Sequence, residues 1–126
     1  MSLVSFSSWG ETMDDLVQRE GVYYKKFSDV PFTGKVEGSN QGNIKNGKKE
    51  GPWLSYYSNG QLSSKGEYKN GDLEGPWLSY YSNGQLSSKG EYKNGDLEGP
   101  WVSYYSDGSV NEECTGTYKN GEKVSN

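Results

Sequence analysis

The sequence predicts an all-β fold, a single-layer antiparallel meander of tandem β-hairpin repeats, elongated and twisted. Three observations carry this. The stretch Gly51–Glu74, GPWLSYYSNGQLSSKGEYKNGDLE, recurs letter for letter at Gly75–Glu98, and an altered third copy begins at Gly99. A fixed period of this length is the mark of a repeat architecture. Turn dipeptides then fall at Asn46-Gly47, Asn59-Gly60, Asn70-Gly71, Asn83-Gly84, Asn94-Gly95, Asp107-Gly108 and Asn120-Gly121, spaced 13 and 11 residues apart in alternation until the last gap lengthens. Asn and Gly reach the positive φ of a type I′ turn at least cost, so each dipeptide reads as a strand reversal. Finally, the alternation of side chains along each strand keeps its parity through both turns of a copy.

That parity fixes a register. A two-residue turn at Asn59-Gly60 sets Tyr57 opposite Leu62, Ser55 opposite Ser64 and Trp53 opposite Gly66. The next turn sets Tyr68 opposite Leu73, Gly66 opposite Gly75 and Ser64 opposite Trp77. One face then holds Trp53, Ser55, Tyr57, Leu62, Ser64, Gly66 and Tyr68, and the other Gln61, Ser63, Lys65, Glu67 and Lys69. A slip of one residue would put the rings among the lysines. Each large ring lies over a small partner, the usual reason for a glycine inside a strand. Pro52, Pro76 and Pro100 each follow a Gly and lack an N–H, so a kink or interruption is expected just before each Trp.

In chain order, four segments are expected: 1–15, 16–50, 51–121 and 122–126. The apolar and small residues of Met1–Gly10 read as the remnant of a secretion signal, or else as a disordered or tag-derived terminus or an extra strand. The first reading favours a periplasmic, secreted or envelope-associated protein over a cytoplasmic one. Thr12 and Asp15 have the spacing of a helix cap. Leu16–Arg19 reads as a strand reversing at Glu20-Gly21 into Val22–Phe27, with another turn at Ser28–Pro31 and a strand over Phe32–Val36. Glu37–Asn43 reads as a loop. Gly34 to Gly51 spans 17 residues rather than 24, so this first copy is shortened, as terminal repeats commonly are. In the third copy Ser109–Thr117 is two residues longer than its counterpart and predicts a bulge. Glu122–Asn126 is expected to fray.

Composition limits function. Mean hydropathy is −0.99 and apolar content only 30%, so a thick core is excluded, while 14% aromatic residues on a strict period argue for an ordered sheet whose rings stack from repeat to repeat. A net charge of −4 with interspersed signs speaks against nucleic acid as a partner. The chain has no histidine and one cysteine, Cys114, which removes the commonest general base and any internal disulfide. Glu67, Glu74, Glu91 and Glu98 recur at the repeat spacing and read as solvated charges rather than glycosidase pairs. No catalytic residue, metal ligand or cofactor site is expected.

The Gly-Pro-Trp, Tyr-Tyr-Ser-Asn-Gly and Gly-Glu-Tyr-Lys-Asn-Gly segments resemble MORN-type repeats, in particular the variant of the YwqK-like antitoxin family, as do Gly21–Tyr24 and Pro31–Lys35 ahead of them. The resemblance implies a non-enzymatic hairpin scaffold for protein contacts, with a toxin–antitoxin or immunity role in some members. It also implies lipid binding in some, but the basic patch that anionic lipid requires is missing here. Alternation leaves Leu54, Tyr56, Leu78, Tyr80, Val102 and Tyr104 in a row on the face opposite the Trp rings, and these are the candidate partner-binding residues; the bland alternative is a second face stabilised by cross-strand contacts. A cell-wall or glycan-binding aromatic module is the other functional class, and it requires exposed Trp rings. Self-association through edge strands is a third, weaker expectation.

Overall fold

The computed structural model describes residues 11–126. Among them the only helical element is one 3₁₀ turn, Met13–Asp15, headed by Thr12, whose N–H and hydroxyl both donate to the Asp15 carboxylate. Those two bonds hold that carboxyl below its ordinary value. Glu11–Thr12, assigned to the N-terminal segment from sequence, form β1, which runs parallel to β4 (Gly34–Glu37) at the edge of the sheet. The signal-peptide reading falls on residues outside those described.

From β4 the chain is an antiparallel meander: β5 (Asn40–Lys45), β6 (Lys48–Tyr56), β7 (Leu62–Lys69), β8 (Asp72–Leu73), β9 (Gly75–Tyr80), β10 (Leu86–Lys93), β11 (Asp96–Leu97), β12 (Gly99–Ser103), β13 (Gly116–Lys119) and β14 (Glu122–Ser125). The last of these covers residues expected to fray, and it pairs with β13. A separate hairpin, β2 (Leu16–Arg19) and β3 (Val22–Lys25), turns on Glu20-Gly21, both at positive φ.

Two kinds of turn alternate. Asn46-Gly47, Asn70-Gly71, Asn94-Gly95 and Asn120-Gly121 have positive φ at both residues, as expected for type I′. Asn59-Gly60 differs: only Gly60 is left-handed. The Gly60 N–H donates to the Tyr57 carbonyl and the Tyr57 N–H to the Gln61 carbonyl, making a three-residue loop with glycine at its end. The register of Trp53 with Gly66 and Ser55 with Ser64 is as expected, but Tyr56, not Tyr57, then pairs with Leu62. The cause is the Asn59 side chain, which accepts from the Gln61 N–H and so stabilises an ordinary turn in place of the left-handed one.

The Gly-Pro steps are excursions of two residues. Tyr68 pairs with Leu73 and Lys65 with Leu78, so Ser64 faces Ser79 rather than Trp77, and Gly66 does not pair with Gly75. Gly75 sits at φ 87 and Pro76 has no N–H for the ladder. The interruption falls before the Gly, at Glu74, and the proline itself lies within β9. Because two residues are inserted, every side chain keeps its face.

Glu37–Asn43 is not a loop. Asn40–Asn43 belong to β5, and Val36 pairs with Gly42 as Trp53 pairs with Gly66. Six positions separate the first pair and thirteen the second, so the shortening of seven residues lies wholly in that hairpin. In the third copy the two extra residues form a turn at Asn111–Cys114 rather than a bulge: the Asn111 side chain accepts from the N–H groups of Glu113 and Cys114, and Thr115 Oγ1 takes over the bonds to Ser103.

The core sits at the N-terminal end. Leu16, Val36, Ile44 and Trp53 are buried together, with Met13, Tyr23, Phe32 and Tyr68 against them. The β2–β3 hairpin lies over the ring face of the first copy, tied by the Tyr23 N–H to the Gly47 carbonyl. Beyond it the sheet is a single layer, and rings make the spine: Tyr92 meets Trp77 and Trp101 edge-on at centroid distances of 5.7 and 5.6 Å.

Candidate functional site

The face opposite the rings is built by register. Gln41, Leu54, Lys65, Leu78, Lys89 and Val102 form one continuous cross-strand row. On the ring face the parallel row is Asn40, Ser55, Ser64, Ser79, Ser88 and Ser103, small side chains that leave room for the rings. Each Trp leans back over the preceding strand: a Cβ on Gly42 would come within 2.4 Å of Trp53, on Gly66 within 2.6 Å of Trp77, and on Gly90 within 2.2 Å of Trp101. Trp53 Nε1 donates to the Asn43 carbonyl and Trp101 Nε1 to Ser103 Oγ. The Trp53 ring is therefore taken up with packing, whereas Trp77 and Trp101 are half-buried and also line a groove on this part of the sheet.

On the Leu–Lys face of the last two copies lies a groove of about 700 Å³. Leu78, Val102 and Tyr104 line it, together with Pro76, Pro100, Thr115 and Thr117, and Lys89 and Glu91 bring charge to it. Of the six residues singled out by alternation, three thus converge on one cavity, whereas Leu54, Tyr56 and Tyr80 do not line it. All six are half-buried rather than an exposed ladder. In the row each of Leu54, Leu78 and Val102 stands opposite a lysine, whose long stem is able to cover an aliphatic neighbour. Sequence reasoning missed the two prolines and the two threonines. The signal was the recurrence of Gly-Pro, whose excursion shapes the groove wall.

The tyrosines expected beneath the rings have another use. Tyr57 Oη donates to the Tyr80 carbonyl at 2.6 Å and Tyr81 Oη to the Tyr104 carbonyl at 2.7 Å. Asn59 and Asn83 reach forward in the same way, to the Ser82 and Ser106 carbonyls. Glu50, Glu74 and Glu98 accept from the turn N–H groups of Asn70, Asn94 and Asn120. Glu74 and Glu98 are consequently half-buried braces of the next turn, not solvated charges. The alternation that places Tyr57 on the ring face predicts Tyr81 and Tyr105 there too, buried with the rings, but Tyr105, at the end of the series, is 51% exposed.

A period of 24, a Trp laid on the glycine of the preceding strand and a bridge from each copy to the next define the unit. A family model described as MORN repeat variant matches residues 49–70, 73–94 and 97–120, more than half of the chain. The chain belongs to that family. A search of the curated proteins finds no match. The match starts at the second hairpin pair: the first MORN-like copy, with Val36 at the Trp position and a shorter turn, lies outside it. MORN repeats are generally non-enzymatic interaction modules. Among the described residues no group of His, Cys, Asp or Glu could hold a metal ion, and no helix is long and apolar enough to cross a membrane.

Proposed function

We propose that this MORN-repeat chain is a non-enzymatic module that takes an extended, largely apolar segment of a partner protein in the groove formed by Leu78, Val102 and Tyr104. The observation that carries the reading is the convergence of these three residues with Pro76 and Pro100 on one cavity. An apolar floor with a few polar groups at its edge is what a protein-binding site requires. Lys89 and Glu91, both exposed, set the direction of the bound segment by charge. The immunity-type role implied by the resemblance would be one instance, with a toxin as the partner.

Selection of peptides from a displayed random library tests this. Selected peptides are expected to be rich in aliphatic or aromatic residues, and to bind Leu78→Asp or Tyr104→Ala at least tenfold more weakly than wild type, with circular dichroism unchanged. Peptides insensitive to both substitutions, or none above background, would refute the reading.

A further inference from the structure

The loop between β3 and β4 displays Phe27 in an unusual way. Its ring is fully exposed, Val30 beside it is 72% exposed, and Phe27 has φ 67. A bulky side chain in the left-handed region is strained, and it persists only where the surroundings hold it. Here they do. The Lys26 N–H donates to the Asp15 carbonyl and the Ser28 N–H to the Lys25 carbonyl. The Val30 N–H donates to Ser28 Oγ. The Arg19 guanidinium donates to the Ser28 carbonyl while lying over the Tyr24 ring at 4.1 Å. The loop is thus fixed with its apolar tip outward, so little ordering entropy opposes its insertion into a partner.

We infer that this loop docks into the Leu78–Val102–Tyr104 groove of a second copy of the chain. The inference rests on the groove reading above and names its occupant. The groove takes apolar side chains, and the loop offers two. Charges match as well: the loop carries Lys26 and Asp29, and the groove Glu91 and Lys89, all four exposed. Pro31 adjoins Gly47 at the turn before β6, whereas the groove begins at β9, two strands beyond β6 in the sheet. The same chain's loop therefore sits at the other end of the sheet, and the contact is between molecules. It is head-to-tail, so copies add in series unless the rotation closes a ring. One loop in one groove buries well under the ~1,000 Å² of a stable interface, so association is weak, with a Kd of roughly 0.1 mM.

Sedimentation equilibrium between about 10 μM and 1 mM tests it. The wild-type mass is expected to climb from the monomer value past that of a dimer. Phe27→Ser and Val102→Glu should each weaken association at least tenfold. Their equimolar mixture should form a one-to-one complex and nothing larger, because one partner retains only the groove and the other only the loop. Lys26→Glu and Glu91→Lys, both at exposed positions, should each weaken association two- to threefold and restore it when mixed. A wild type that stays at monomer mass throughout overturns the inference, as does association indifferent to Phe27. If library peptides still bind the groove of such a monomer, self-docking alone has failed and the groove reading stands.

Discussion

Trp53 and Trp77 occupy the same position in two repeats of identical sequence, yet Trp53 is 4% exposed and Trp77 only half-buried. The copy does not determine the difference; its neighbour does. Trp53 lies under the N-terminal hairpin, between the Gly42 strand and Lys49, whose ammonium sits 4.6 Å from the ring centre. Burial of Lys49 depresses its pKa, a sign that this end has drawn a charged side chain into the layer. Trp77 and Trp101 lie beyond the hairpin and share a single tyrosine, Tyr92, edge-on to both. A repeat thus sets ring position and register, and the cap sets how much of that ring is withdrawn from water.

The sharpest way to break this comparison is to remove the rings. Trp53→Ala should cost about 4 kcal/mol in urea unfolding and Trp101→Ala about 2, since buried aromatic truncation costs roughly 3–5 and a half-buried ring proportionately less. Equal losses would mean that the hairpin covers Trp53 without stabilising it. Glycine substitution sharpens the same point. Gly42→Ala drives a methyl against the buried Trp53 ring and should cost about 3 kcal/mol, while Gly90→Ala, against the half-buried Trp101 ring, should cost about 1. Denaturant midpoints measured on the two variants decide it.

Comparing the ends of the series gives a smaller effect. Tyr81→Phe removes the bond to the Tyr104 carbonyl and should lower stability by about 1 kcal/mol, whereas Tyr105→Phe should stay within about 0.5. A loss at Tyr105 as large as at Tyr81 would show that the end of the series is braced by something else. The smallest effect is in alkali. Burial is the main cause raising the Tyr68 and Tyr92 phenols above their ordinary value. Their contribution is therefore full below pH ~10 and is lost as pH rises through the higher folded-state values. Thermal melts from pH 9 to 11 should show a shallower decline for Tyr92→Phe than for wild type; parallel declines would exclude Tyr92 as a contributor.

The hairpin pairing of Trp53 with Gly66, and the two cross-strand rows through Leu54 and Ser55, could be read from the sequence because a period of two leaves little freedom once one face must be apolar. The pairing beside the Asn59 turn could not, since Tyr56 rather than Tyr57 meets Leu62. The turns were only half legible. The same Asn-Gly dipeptide makes a left-handed pair at Asn70 and an ordinary turn at Asn59, and the choice depends on whether the Asn side chain caps its own turn. Asn40–Asn43 was hidden by polar composition, although Gly42 stands one period before Gly66. The half of the groove made of Leu78, Val102 and Tyr104 followed from alternation. Its proline and threonine walls did not, because they arise where chain geometry departs from a regular strand. Phe27 gave no signal in sequence, since its exposure is a consequence of a backbone conformation held by residues as distant as Asp15 and Arg19.

Consider finally the bridges that run from each copy to the next. Tyr57 and Tyr81, Asn59 and Asn83, Glu50 and Glu74 make the same bonds across successive boundaries. The boundary is therefore a standard joint, and a further 24-residue copy inserted between the two identical ones would meet both neighbours without altering a contact. Each insertion would widen the sheet by two strands, about 10 Å, and carry the Phe27 loop that much farther from the groove. In such a molecule reach is a matter of copy number, adjustable by gene duplication alone while both ends stay unchanged.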